Sequence, residues 1–131
     1  MNERSIKILL VDDEELVRSA VRDWLEDEDF QVSEAKSGAD ALELLAKESF
    51  DCGILDLQLA DMSGVEVLKA ARYAGKNPAW LVMTGNLGGI MYQELRELGI
   101  ADDAILQKPI FDMQTFSNRI LRSVVRCSSA A

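Results

Sequence analysis

The sequence predicts an α/β fold: a doubly wound, five-stranded parallel sheet with five helices distributed over its two faces. Two observations predict this class. Short apolar runs alternate along the chain with longer segments whose apolar residues recur at helical spacing. Strands that alternate with helices form parallel sheets, and right-handed crossovers place the helices on both faces. The length of 131 residues is typical of a single domain.

The first two predicted strands differ in their patterns. Residues 6–11 form a strongly apolar run that predicts a buried strand, and this run ends in Asp12 and Asp13. A helix follows, because its apolar residues at i, i+4 spacing predict one buried face. That face is expected to comprise Leu16, Val17, Ala20, Val21 and Trp24. Residues 30–35 alternate between apolar and polar side chains, which is typical of a half-exposed edge strand.

The middle of the chain predicts a buried strand between two helices. Ser37-Gly38 opens the second helix, whose apolar residues are Ala41, Leu42, Leu44 and Leu45. Residues 50–56 are a short apolar run that ends in Asp56 and is followed by a polar, turn-forming segment. Such a run fits a buried strand better than a helix. The third helix carries Val65, Leu68 and Ala71.

The last part of the chain predicts two more strands and two more helices. Residues 79–83 form an apolar strand that ends at Thr84, and residues 104–106 form a short final strand before Lys108. Gly99 is expected to cap the helix between these strands. The fourth helix carries Ile90, Met91, Leu95 and Leu98, and the fifth, capped by Asp112, carries Phe116, Ile120 and Val124. We expect a domain over residues 1–127 and a disordered tail or the start of a linker at residues 128–131.

The composition argues against several classes of function. A net charge of -9 without a basic tract argues against direct binding of nucleic acid. No apolar run could span a bilayer and no secretory signal is present, so we expect no membrane association. Cys52 and Cys127 lack metal-type spacing, and a free thiol at Cys52 suits a cytoplasmic location. The absence of histidine excludes Ser-His-Asp catalysis and a phosphohistidine on this chain.

Polar side chains follow four of the five predicted strands. They are Asp12, Asp13, Asp56, Thr84 and Lys108. The carboxyl ends of parallel strands meet at one edge of the sheet, where such folds place their functional crevice. Crowded carboxylates without histidine or thiolate partners favour a hard cation, Mg2+ or Mn2+. With no serine or cysteine at these ends, Asp56 is the candidate nucleophile for an aspartyl phosphate. A hydroxyl and an ammonium suit phosphoryl oxygens.

These motifs, taken in order, resemble the receiver domain of two-component response regulators, the CheY-like superfamily. The matching segments are Val11-Asp12-Asp13-Glu14, the run from Asp56 to Gly64, Thr84-Gly85 and Lys108-Pro109. The resemblance covers residues 5–126 and implies a flavodoxin-like receiver fold with strand order 2-1-3-4-5, an order already known for this superfamily.

The resemblance also implies a role for each site residue. Asp56 would be the phosphoacceptor, and Asp13, Asp56 and the backbone carbonyl of Gln58 would bind Mg2+ directly. Asp12 would act on the metal mostly through water. Thr84 and Lys108 would contact the phosphoryl group. Gln58 and Asn86 occupy positions that tune the lifetime of the phosphoryl group in the family.

The expected function is a phosphorylation-activated signalling switch. A partner histidine kinase or histidine phosphotransfer protein would donate the phosphoryl group, and the chain would catalyse only its own phosphorylation and slow dephosphorylation. An output domain or partner would use the face of the fourth helix, fifth strand and fifth helix, with the chain a monomer or weak dimer. One alternative is an interaction module with a vestigial acidic site. The other is a metal-dependent phosphatase, disfavoured because Gln58 stands where such enzymes have a second acid.

Three departures from the family pattern are expected to matter. Ala60 replaces the usual proline and should loosen its loop slightly. Ile105 replaces the aromatic residue that normally swings inward during activation, which puts the usual switch in doubt. The stretch from Gly99 to Lys108 is about two residues longer than usual, so we expect a remodelled loop before the last strand.

Overall fold

The structure is a computed structural model that describes residues 6–85, 89–107 and 113–130. Its strands are β1 (Lys7–Val11), β2 (Gln31–Ala35), β3 (Cys52–Asp56), β4 (Ala79–Thr84) and β5 (Ile105–Gln107). Its α-helices are α1 (Glu15–Asp27), α2 (Gly38–Lys47), α3 (Gly64–Tyr73), α4 (Gly89–Glu97) and α5 (Met113–Ala130). The strands form one parallel sheet in the order β2-β1-β3-β4-β5. The predicted fold class and strand order are confirmed.

Burial follows the sequence pattern of each strand. Every residue of β3 is buried, and in β1 only Lys7 is partly exposed. The alternating strand β2 lies at the edge of the sheet, where most of its residues are partly exposed. Central strands of a parallel sheet are covered on both faces, which explains their continuous apolar runs. The neighbouring strands β1 and β3 therefore lie inside the sheet and position the acidic residues at their carboxyl ends.

The helices cover both faces of this sheet. Helices α1 and α5 share one face, where the indole Nε1 of Trp24 donates a hydrogen bond of 3.0 Å to Oγ of Ser117. Helices α2 and α3 pack against each other on the opposite face. The side chain of Ser37 caps α2 by accepting a hydrogen bond from the Asp40 amide. Ser63 and Glu66 form a complete capping box at the start of α3. Such caps fix the residues at which helices begin beside the sheet edge.

The predicted buried face of α1 is confirmed at Val17, Val21 and Trp24 and is wrong at Leu16 and Ala20. Leu16 is 87% exposed and Ala20 is exposed, whereas Val21 and Leu25 are buried. The row at i+4 spacing that faces the sheet therefore runs through Val17, Val21 and Leu25. Leu16 lies in the first turn of α1, beside the carboxyl edge of the sheet, where its side chain meets solvent. Its apolar character alone was a poor guide, because one turn at a helix end can extend past the core.

The segment before the last strand has a form that the sequence did not specify. A single turn of 3-10 helix at Asp102–Ala104 precedes β5, which begins at Ile105. Gly99 has a φ of +85°, as expected for a helix cap in the left-handed region. Helix α5 continues to Ala130, so its last turn includes residues 128–130. The expected cap Asp112 and the side chain of Val124 lie outside the described residues.

Candidate functional site

The carboxyl edge of the sheet brings three predicted site carboxylates together. Asp12 and Asp13 follow β1, and Asp56 is the last residue of the neighbouring strand β3. Carboxylate oxygens of these three residues all lie within 4.8 Å of one another. Asp12 is fully buried and Asp56 is 3% exposed, while Asp13 is exposed. The cluster is therefore partly buried, with Asp13 as its solvent-exposed member.

The chemistry of this cluster fits a hard cation. Three carboxylates at this separation repel one another, and burial of two of them weakens the screening that water would provide. All the donor atoms are oxygens, which is the ligand type that Mg2+ and Mn2+ prefer. An exposed carboxylate beside two buried ones also leaves room for bound water. The residues present thus fit a divalent cation that is held partly by protein and partly by solvent.

The loop after Asp56 is held close to that residue by backbone contacts. The Gln58 amide donates a hydrogen bond of 2.9 Å to Oδ1 of Asp56. Gln58 also forms an isolated antiparallel bridge with Ser63, and the Gly64 amide donates to the Leu57 carbonyl at 2.9 Å. The loop therefore returns on itself directly beyond Asp56, with Gln58 exposed at its start. This geometry puts Gln58 beside the carboxylate cluster.

Gly64 is required at the base of this loop because the backbone approaches it closely. A Cβ atom at this position would lie 2.8 Å from Cα of Leu57 and 2.9 Å from the carbonyl oxygen of Asp56. These distances are shorter than real Cβ contacts, so any side chain would displace the backbone of Asp56. Sequence reasoning used Gly64 only as part of a motif. Its steric role depends on contacts between α3 and β3 that the sequence does not show.

Asp61 ties the same loop to the start of α2. Its carboxylate oxygens accept hydrogen bonds from the amides of Gly38 at 2.9 Å and Ala39 at 3.0 Å. These backbone hydrogen bonds, from Gly38 first and Ala39 second, hold the pKa of Asp61 below its ordinary value of 3.8. The carboxylate also faces the positive end of the helix dipole. These contacts anchor the loop that contains Ala60, and sequence reasoning did not find them.

Thr84 and Ile105 extend the site toward the last strand. Thr84 ends β4, is 2% exposed and pairs with Gln107, while Ile105 pairs with Val82. Ile105 is partly buried and packs against the core. Next to Thr84, Gly85 is exposed, and no atom of the described residues would lie within 4 Å of a Cβ placed there. Within the part of the chain that the structure describes, the space beside Thr84 is therefore open.

Several predicted site residues lie outside the described residues. They are Lys108, Pro109 and Asn86. The expected roles of Lys108 and Asn86, and the place of Pro109 in the family motif, rest on the sequence alone.

The fold and the carboxylate cluster agree with the family that the sequence matches. The chain belongs to the response regulator receiver domain family, which it matches over residues 8–121. Receiver domains are the phosphorylation-controlled components of two-component signalling, and this chain is one of them. The resemblance predicted from the motifs is confirmed.

Individual relatives show how far the similarity extends. The chain is 35% identical over 99 residues to sporulation initiation phosphotransferase F of Bacillus subtilis. The matched segment covers 76% of this chain and 77% of that protein. It is 38% identical over 74 residues to the transcriptional regulatory protein SrrA of Staphylococcus aureus, covering 56% of this chain but only 31% of SrrA. A CheY-like receiver domain protein from Methanospirillum hungatei superposes with a TM-score of 0.90 at 23% identity, covering 98% and 100% of the two chains. This last likeness supports the fold.

The helices give no indication of a membrane span. Among the residues that the structure describes, none of the helices combines the length and apolar character that crossing a bilayer requires.

Proposed function

We propose that Asp56 is the phosphoacceptor of this receiver domain and that a phosphohistidine on a partner protein is the donor. The observation that carries the proposal is the cluster of three carboxylates within 4.8 Å of one another at the carboxyl edge of the sheet. Thr84 ends the adjacent strand β4, so a hydroxyl lies at the same edge. An oxygen nucleophile, a cation site and a hydroxyl donor are the groups that phosphoryl transfer needs.

The proposed metal is Mg2+, with Mn2+ able to replace it. The carboxylates of Asp13 and Asp56 and the backbone carbonyl of Gln58 would bind it, and Asp12 would act mostly through water. When bound, the cation offsets the negative charge of the carboxylates and of the phosphoryl oxygens. Asp56 is almost fully buried, which limits the access of bulk water to the acyl phosphate.

The proposed reaction is a direct transfer between the two side chains. A carboxylate oxygen of Asp56 forms a bond to phosphorus as the phosphorus–nitrogen bond of the donor breaks. The imidazole leaves with the electron pair of that bond. Thr84 and Lys108 contact the phosphoryl oxygens as their charge shifts. Hydrolysis returns the carboxylate and inorganic phosphate, so the chain acts on its own phosphoryl group and on no separate substrate.

The partners and the setting belong to the same proposal. A histidine kinase or a histidine phosphotransfer protein is the donor, and an output domain or partner binds the face of α4, β5 and α5. The receiver comprises residues 1–127, acts as a monomer or weak dimer, and works in the cytoplasm. The buried thiol of Cys52 is compatible with a reducing compartment.

Labelling with acetyl phosphate tests this function. With Mg2+, the wild-type protein should gain one phosphoryl mass as an acid-stable, base-labile adduct, while Asp56→Asn should gain none. Asp51→Asn is a matched control, because Asp51 precedes the same strand at its other end, where its carboxylate accepts a hydrogen bond from the Lys7 amide at 2.9 Å. It should label normally. Label that persists in Asp56→Asn contradicts the proposal. A complete lack of label in the wild type would instead favour a phosphorylation-independent interaction module.

A further inference from the structure

Arg18 on α1 connects the acidic cluster to the edge strand of the sheet. Its Nη1 donates a hydrogen bond of 2.8 Å to the backbone carbonyl of Asp12, and its Nε donates one of 2.9 Å to Oε1 of Glu34. The Arg18 side chain is only 13% exposed. One planar guanidinium therefore bonds a strand carboxylate and the main chain of the cluster at the same time, a geometry that its rigid fork permits.

The carbonyl that Arg18 contacts belongs to the peptide that joins Asp12 to Asp13. A peptide unit is planar, so fixing its oxygen fixes the direction in which Asp13 leaves it. The two neighbouring groups are also held. The Asp12 amide donates to the Ala35 carbonyl at 3.1 Å, and the Glu14 amide donates to Oδ1 of Asp12 at 2.9 Å. Among these contacts, only the hydrogen bond from Arg18 holds the peptide unit between Asp12 and Asp13, and the exposed side chain of Asp13 branches from the Cα atom directly after that unit.

Glu34 in turn fixes Arg18. Its second oxygen accepts a hydrogen bond of 2.7 Å from Nη1 of Arg22, one helical turn further along α1. Burial alone would raise the pKa of Glu34, but the hydrogen bonds and charges of Arg22 and Arg18 outweigh it and hold that pKa below its ordinary value. Glu34 is therefore a carboxylate shared by two arginines, of which only Arg18 reaches the cluster.

We infer that Arg18 is a positioning residue for cation binding at the acidic cluster, with Glu34 holding it in place. It orients the peptide plane between Asp12 and Asp13 so that the Asp13 carboxylate meets those of Asp12 and Asp56. This inference rests on the proposed function, since it concerns the cation that phosphoryl transfer needs. Groups that orient metal ligands without touching the metal commonly change metal affinity by about 10-fold or more when they are removed.

Charge and position predict opposite effects when Arg18 is removed. Loss of a guanidinium near three carboxylates makes the cluster more negative, which by charge alone would tighten cation binding. Loss of the hydrogen bond to Asp12 frees the peptide plane, which would weaken it. Arg22 provides the matched control: it lies on the same helix, carries the same charge and shares Glu34, but its hydrogen bonds go to Glu34 and Asp23.

The test is a titration of the metal-free, 15N-labelled full chain with Mg2+ alone, followed by amide NMR shifts. Arg18→Ala should raise the Kd for Mg2+ by about 10-fold, whereas Arg22→Ala should leave it within about twofold or lower it. Before metal is added, amide hydrogen exchange at Asp13 and Glu14 should be faster in Arg18→Ala only. Amide hydrogen exchange requires no bound metal, so it reports directly how firmly Arg18 holds the backbone at Asp13.

Each outcome bears on the inference. Affinity in Arg18→Ala that equals or exceeds that of the wild type overturns it, as does an equal loss in Arg22→Ala. If Arg18→Ala does not fold, Arg18→Lys and Arg22→Lys give the same comparison, with the larger loss expected at position 18. Asp56→Asn separates the two proposals. If the wild type binds Mg2+ no better than Asp56→Asn, the proposed metal site itself is wrong. If the wild type binds Mg2+ more tightly than Asp56→Asn, but Arg18→Ala and Arg22→Ala have the same affinity as each other, only the role of Arg18 is overturned.

Discussion

Substituting Gly64 with alanine should destabilise the domain through its closest backbone contact. The new Cβ would lie 2.8 Å from Cα of Leu57, which is 0.6 Å closer than the 3.4 Å at which ordinary van der Waals contact begins. Two of the three closest atoms belong to the backbone, so moving the Leu57 side chain aside would not relieve these contacts. Overpacking of this kind costs about 1–3 kcal/mol. The higher helix propensity of alanine offsets at most about 1 kcal/mol of that cost.

Taking the middle of that range, about 2 kcal/mol, less an offset of at most about 1 kcal/mol, we expect Gly64→Ala to lose about 1–2 kcal/mol of unfolding free energy. For a domain of this size, the loss corresponds to a fall of roughly 3–8 °C in Tm. Urea unfolding followed by far-ultraviolet circular dichroism measures the free energy, and acetyl phosphate labelling measures the site. Labelling should also slow, because the second close contact of the new Cβ is the carbonyl oxygen of Asp56 at 2.9 Å.

Gly85→Ala is the matched control for this prediction. It adds the same methyl group at the same edge of the sheet, but none of the described residues has an atom within 4 Å of the added Cβ. Its unfolding free energy should stay within about 0.5 kcal/mol of the wild-type value. If Gly64→Ala were as stable as the wild type, the close backbone contact at Gly64 would not exclude a Cβ atom. An equal loss of stability in Gly64→Ala and Gly85→Ala would contradict the prediction in the same way.

Three further predictions concern charge and switching. Metal-free Asp13→Asn and Asp56→Asn should each unfold at higher urea concentration than the wild type, because each relieves repulsion in the cluster. In the folded protein the pKa values of Glu34 and Asp61 lie below their ordinary values of 4.5 and 3.8. Each carboxylate therefore stabilises the fold fully at a pH above its ordinary pKa, and this stabilisation is lost as the pH falls through its lower pKa in the folded protein. The stability difference between the wild type and Glu34→Gln or Asp61→Asn should accordingly shrink on acid titration. Beryllofluoride, a phosphoryl mimic, should cause large amide shifts in residues 85–91 and modest ones at Ile105, whose β-branched side chain is stiff at its first torsion; equal shifts in both regions would show that Ile105 switches.

The fold could be predicted because the pattern of neighbouring residues identifies each strand. An apolar run that ends in a carboxylate, as at Val11-Asp12 and Leu55-Asp56, marks both a buried strand and the edge where it stops. The alternation of residues 30–35 likewise marked the edge strand. These signals require only neighbouring residues, so they are readable without tertiary information. The same strand ends predicted which carboxylates would meet.

The supporting contacts of the site could not be predicted because they join distant segments. The bonds from Asp61 to the start of α2 and from Arg18 to Glu34 connect residues 23 and 16 positions apart, and nothing in the local sequence distinguishes these side chains from other surface charges. The exposure of Leu16 has a similar origin. Which row of α1 faces the sheet depends on how the helix packs, which its apolar spacing restricts only to within one residue.

Identifying the residue that carries the phosphoryl group tests most directly whether Asp56 is the phosphoacceptor. The protein is labelled with acetyl phosphate and Mg2+, reduced with borohydride to convert an aspartyl phosphate to homoserine, and mapped by peptide mass spectrometry. Homoserine is expected at position 56 alone, and at no position when a chelator removes the metal. Homoserine at Asp12, Asp13 or Asp51, or label on a serine or threonine, would contradict it.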